Sequence, residues 1–167
     1  MSTIRSEVAI HASKEKVWEV LGQYGEIYRY APSTRVSRLT SSQQEGEGTS
    51  RQCDLIPMGT TLERVTEWRA GEGYTFTIDG GKFVPPFRSN TATYELTEEG
   101  EMTVVTFRFD YRLKYGPIGF LMDKLMFGPQ LSKGLPRILT GLKHFVETGE
   151  EVDQEVFKRL GKETAPA

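Results

Sequence analysis

Cysteine is nearly absent from this sequence and histidine is scarce: Cys53 is the lone thiol, and His11 and His144 are the only imidazoles. One cysteine excludes an internal disulfide and any thiolate zinc cluster. Neither histidine has a second histidine or a cysteine two or four residues away, so no metal site is expected. There is no Gly-x-Ser-x-Gly nucleophile elbow. Two glycine-containing runs, Gly46-Glu47-Gly48 and Gly71-Glu72-Gly73, lack the final glycine of a dinucleotide loop and open no helix, so both read as turns and no cofactor is expected. No apolar run approaches the ~18 residues of a membrane span, and the opening Met1-Ser2-Thr3-Ile4-Arg5 lacks the apolar core of a signal peptide. A cytoplasmic address is the expectation. Charge of one sign is missing as well: 21 basic against 23 acidic residues give a net charge of -2. Such a balance offers no field for holding a phosphate backbone, and nucleic acid is not an expected partner.

What remains is a chain of 167 residues, 37% apolar and 26% charged, enough for one well-buried domain. Val8 and Ile10 alternate with polar residues up to Ala12-Ser13. Ser13 is a good helix N-cap, and Val17, Trp18, Val20 and Leu21 follow as a short apolar stripe. A further turn is expected from Ile27 to Ala31, closed by Pro32. The period then changes to two, predicting strands near 34–41, 48–55, 60–69, 73–79, 87–97 and 102–113. The short turns between them favour an antiparallel meander. Helical periodicity returns with Ile118, Leu121, Met122, Leu125 and Met126, is interrupted at Gly128-Pro129, and resumes from Leu131 to Val146. Pro136 should kink that second stripe or mark its first turn. From residue 149 to 167 the chain is charged and reads as a loosely packed tail.

Strand parity separates the faces. In 102–113, Val105, Phe107, Phe109, Tyr111 and Leu113 share one side, opposite Arg108, Asp110 and Arg112. Tyr74, Phe76 and Ile78 share the inner side of 73–79. Ala92, Tyr94 and Leu96 do so in 87–97, which puts Arg88 and Asn90 on the same parity. For 60–69 the parity is ambiguous, because Leu62 and Trp68 oppose Val65.

The order of elements, with Ala12-Ser13-Lys14-Glu15-Lys16-Val17-Trp18-Glu19-Val20-Leu21, Leu62-Glu63-Arg64-Val65-Thr66-Glu67-Trp68 and Gly141-Leu142-Lys143-His144-Phe145-Val146-Glu147, resembles the START-like, or SRPBCC, superfamily. The polyketide cyclase/dehydrase and lipid-transport branch is the most similar, over residues 3 to 148. The resemblance implies an α+β helix-grip fold: a curved seven-stranded antiparallel sheet around a long C-terminal helix, with two short helices after the first strand. It also implies a ligand-binding domain over 1–148 that holds a hydrophobic lipid, polyketide or aromatic metabolite in an internal cavity. Similarity to plant abscisic-acid receptors implies that Thr61, Glu63 and Val65 point inward, and Cys53 and Leu55 with them.

The candidate ligand-binding set is therefore Cys53, Leu55, Glu63, Val65, Phe76, Ile78, Phe83, Arg88, Asn90, Tyr94, Phe107, Phe109, Tyr111, Leu135 and Leu142. The same aromatics would equally complete a solid core. If Glu63 and Arg88 both point inward, they form a carboxylate–guanidinium pair able to hold a ligand oxygen. Otherwise Arg88 lies at the strand mouth in solvent and Glu63 pairs with an outer cation. A polyketide cyclase/dehydrase-like enzyme would use Glu63, Arg88, Tyr94 and Tyr111 as acid, base and carbonyl donors. A non-catalytic binder is the preferred reading. Loops 56–59 and 80–87 would flank the entrance, with Met58, Phe83 and Val84 as an apolar lid. Met122, Met126 and Phe127 would add surface for lipid pick-up, partner contact or a homodimer if exposed. Stable membrane insertion is not expected.

Overall fold

In the computed structural model, which describes residues 1–163, the alternating segments form one seven-stranded antiparallel sheet. The strands are β1 (Ser2–Ile10), β2 (Thr34–Leu39), β3 (Ser50–Leu55), β4 (Thr60–Arg69), β5 (Gly73–Lys82), β6 (Phe87–Glu99) and β7 (Met102–Leu113). Their spatial order is β1-β7-β6-β5-β4-β3-β2. Only β1 and β7 are neighbours that are not consecutive in sequence, and the chain between β1 and β2 is long enough to make that excursion. It carries α1 (Lys14–Leu21) and a 3-10 turn (Tyr24–Arg29). The Ser13 hydroxyl accepts the Lys16 N–H at 3.3 Å and caps α1, whose Val17 and Leu21 are buried.

Helical structure resumes as α2 (Gly116–Met122), a π turn (Asp123–Phe127) and α3 (Gly128–Thr148). The break expected at Gly128-Pro129 is instead a local widening of a continuous helix. Pro129 has no N–H for the carbonyl four residues back, and its ring would crowd that oxygen. The turn ahead of it relaxes to π geometry, and the Gly128 N–H bonds the Asp123 carbonyl five residues back. Pro136 lies well inside α3 rather than in its first turn. Gly149, at φ 78°, ends the helix by donating to the Phe145 carbonyl at 2.8 Å.

The sheet grips α3 most closely at its C-terminal half, where Leu139, Leu142, Phe145 and Val146 are buried. Gly141 makes that approach possible: a Cβ there would lie 1.9 Å from the Tyr30 carbonyl oxygen. Aromatic rings fill the space beneath. Trp18 meets Trp68 edge-on at 5.1 Å, Trp68 stacks on Tyr74 at 5.5 Å, and Tyr94 contacts Phe107 at 4.5 Å. Of the tail expected over 149–167, the part up to Glu163 is held more firmly than its composition suggests, and 164–167 lie outside the described residues. The Val152 side chain is buried, its N–H bonds the Arg29 carbonyl, and α4 (Gln154–Glu163) lays Val156, Phe157 and Leu160 on the core.

Candidate functional site

Toward the N-terminal half of α3 the interior is not filled. A cavity of about 530 Å³ lies between that half of the helix and the inner face of the sheet. Phe76, Ile78, Tyr94, Phe107 and Phe109 form its sheet wall, and Leu131, Leu135 and Ile138 its helix wall. Gly134 sits among the helix residues with no side chain, and a Cβ added there would meet nothing within 4 Å. The exposed side chains of Met58 and Phe83 stand at the rim with Ile56 and Pro57. The volume and the mainly apolar wall are those of a small-molecule site.

One polar constellation interrupts the apolar wall. Arg51, fully buried on β3, donates through Nε (2.8 Å) and Nη2 (2.6 Å) to Oε2 of Glu63 on β4. Its Nη1 donates to the Tyr24 carbonyl at 2.6 Å, and its guanidinium lies 4.0 Å from the Tyr24 ring centre. The Thr61 hydroxyl donates to Glu63 Oε1 at 2.8 Å. Burial works most strongly against the Arg51 charge, but the Glu63 carboxylate together with Tyr24, Cys53 and Tyr74 outweighs it, so the guanidinium pKa is raised. A buried charge pair is sustained only when hydrogen bonds complete it, as they do here. Burial, reinforced by Glu63, pushes the neighbouring Cys53 thiol up to about 12. That sulfur is a protonated apolar group rather than a nucleophile. The Tyr24 hydroxyl is buried beside the pair without a hydrogen-bond partner among the described residues, and the Tyr74 hydroxyl is buried next to Arg51 and Tyr30. Burial raises both phenols, Tyr74 to about 12.

The cavity brings together Cys53, Leu55, Glu63, Phe76, Ile78, Phe83, Tyr94, Phe107, Phe109 and Leu135. Val65 and Leu142 belong to the packed core instead. Asn90 points to the seam between strands, where its side chain accepts from the Ile78 N–H (2.6 Å) and donates to the Ile78 carbonyl (2.9 Å). Tyr111 donates its hydroxyl to Asp123, a buried residue of the π turn that also accepts from Ser2 at 2.5 Å. Arg88 is exposed and lines a separate hollow with Tyr111 and Arg112, so the expected Glu63–Arg88 pair does not form. The cause is a bulge: Phe87 faces Leu113 and Ser89 faces Arg112, leaving Arg88 as an extra residue that breaks the parity carried up from Tyr94. The partner of Glu63 is Arg51. Its place was readable from β3, where Arg51, Cys53 and Leu55 alternate onto one face.

Among the described residues no cluster of three or more His, Cys, Asp or Glu side chains could hold a metal ion, and no helix is long and apolar enough to cross a membrane. No curated protein matches the sequence. Solved structures do match the fold. TTHA0849 from Thermus thermophilus superposes with a TM-score of 0.71 at 22% identity, covering 87% of this chain and 97% of that one. Ara h 8.0201 gives 0.69 at 14%, covering 87% and 97%. The solution structure of the Aha1 dimer from Colwellia psychrerythraea gives 0.66 at 17%, covering 89% and 98%. Such neighbours are helix-grip proteins of the START-like superfamily, and identities this low speak to architecture alone. The sequence profile described as polyketide cyclase/dehydrase and lipid transport matches residues 1–147, so the chain belongs to that family.

Proposed function

We propose that this protein binds a hydrophobic small molecule, a lipid, polyketide or aromatic metabolite, in the cavity between α3 and the sheet. The observation that carries the reading is an apolar space of about 530 Å³ with one fixed charge pair in its wall. Apolar area supplies the affinity, and the polar group sets orientation. Of the lone pairs of Glu63, Oε2 receives two bonds from Arg51 and Oε1 one from Thr61, which leaves one on Oε1. Arg51 has two N–H groups beyond the three bonded to Glu63 and Tyr24, with only the Cys53 thiol and the Tyr74 hydroxyl as neighbouring partners among the described residues. A ligand hydroxyl donating to Glu63, or a carbonyl accepting from Arg51, fits this arrangement. At the rim Lys133 and Arg137, four residues apart on α3, suit an anionic group on the outer end of the same molecule. Binding without turnover is favoured because the carboxylate is already engaged and the thiol beside it is held protonated.

Native mass spectrometry of freshly purified protein should show a co-purified adduct or, after delipidation, uptake of an added apolar dye such as 1-anilinonaphthalene-8-sulfonate. Leu135→Trp, which fills the cavity from the helix side, should abolish the uptake while the circular dichroism spectrum is retained. Dye binding undiminished in the folded Leu135→Trp variant would overturn the proposal.

A further inference from the structure

Soluble proteins scatter single apolar side chains over their surface, but contiguous ones mark contact sites. Within nine residues of α2 and the π turn, Ile118, Phe120, Leu121, Leu125 and Met126 are each between 57% and 70% exposed. Met122 and Phe127 turn toward the core and anchor the same turns. The helix carrying this crest continues into Leu131 and Leu135 of the cavity wall, and exposed Met58 and Phe83 stand at the rim of that cavity.

The exposed charges along this stretch of chain have one sign. Between Tyr111 and Arg137 the chain holds Arg112, Lys114, Lys124, Lys133 and Arg137 against a single acid, Asp123. Asp123 is buried and bonded to Tyr111 and Ser2, so it contributes no exposed acidic group. None of the five cations forms an ion pair among the described residues, although the whole chain is net acidic at -2. Lys124 Nζ lies 4.9 Å from the Phe120 ring centre. Arg88 and Arg112 line a hollow of about 270 Å³ together with Phe120 and Tyr115.

We propose that this face docks the protein on an anionic lipid bilayer. Ile118, Phe120, Leu121, Leu125 and Met126 enter the headgroup boundary, and the surrounding Arg and Lys side chains meet lipid phosphates and carboxylates. A second copy of the chain is the poorer occupant, because a symmetric dimer through this face would set the cations of one copy against those of the other. The docking stands independently of what the cavity holds.

Flotation with vesicles of stated composition tests it. The wild-type protein should float with phosphatidylcholine vesicles containing 30% phosphatidylserine, less so at 0.5 M NaCl, and scarcely with phosphatidylcholine alone. Lys114→Glu and Lys124→Glu should each weaken partition by about fivefold or more. Leu125→Glu should weaken it at least as much, with an unchanged circular dichroism melt in each case. Absence of flotation, equal recovery on neutral vesicles, variants that float like wild type, or a stable dimer that Leu125→Glu splits would each overturn the proposal.

Discussion

The two halves of α3 face the same sheet and meet it differently. In the C-terminal half Leu139, Leu142, Phe145 and Val146 are 7% exposed or less, whereas Leu131, Leu135 and Ile138 of the N-terminal half are only half-buried. At the packed end Gly141 lets the helix backbone touch that of Tyr30, and Trp18, Trp68 and Tyr74 take up the remaining space. At the hollow end Gly134 contributes no side chain, and the β5–β6 ladder stops at Phe76 and Ala92. Close packing at one end supplies the stability that lets the other leave apolar wall unfilled. The Arg51–Glu63 pair lies along the boundary between them.

The boundary is the place to break the comparison hardest. Arg51→Met should cost about 3–5 kcal/mol in urea unfolding, because it strands the Glu63 carboxylate and the Tyr24 carbonyl. Adding Glu63→Leu should restore much of that loss, and failure to do so would mean the pair is not coupled. Truncation of the helix sharpens the contrast next. Leu142→Ala should cost about 2–5 kcal/mol, while Leu135→Ala, beside existing empty space, should cost about 1 kcal/mol or less. Equal losses would show that the hollow end is closed in solution.

Alkaline titration probes both ends together. Cys53 on the cavity wall is raised from 9.0 to about 12, and Tyr74 in the packed aromatic cluster from 10.0 to about 12, both chiefly by burial. Between the unfolded and folded values the unfolded chain releases protons that the native chain keeps. Stability from these groups is therefore complete below pH 9 and declines as pH rises toward 12. Denaturant midpoints across that range should fall steadily, and native Cys53 should react with a thiol reagent at pH 8 far more slowly than the urea-unfolded chain. A native thiol as reactive as the unfolded one would contradict its burial.

The smallest effect is a difference of sign. Gly141→Ala presses a methyl toward a backbone oxygen and should destabilise by about 1–3 kcal/mol. Gly134→Ala, seven residues earlier on the same helix, meets open space and should stabilise by about 0.5–1 kcal/mol. Thermal melts of the two variants should move in opposite directions.

The sheet was legible because its inner residues keep strict alternation, most plainly from Val105 to Leu113, and short turns allow only antiparallel neighbours. The cavity wall followed from the same parity, as Phe76, Tyr94, Phe107 and Phe109 show. Arg51 could have been found by that rule, since it shares a face with Cys53 and Leu55, but a charged side chain at the end of so short a set reads as surface. Arg88 could not be placed, because a bulge is a property of two strands together. Tyr111 was expected at the cavity, and its partner Asp123 lies in a π turn that helical periodicity does not reveal. The Asn90–Ile78 bonds were hidden for a similar reason: they depend on where two strands part.

Those bonds also set how the cavity wall can give. Beyond Phe76 and Ala92, the Asn90 carboxamide joins β5 and β6 through the N–H and carbonyl of Ile78, a single stitch where a ladder would have several. A ladder resists parting rung by rung, whereas a stitch yields all at once. How far the two strands can part there rests on one amide, and exchanging it for a carboxylate would remove the donor half of the stitch.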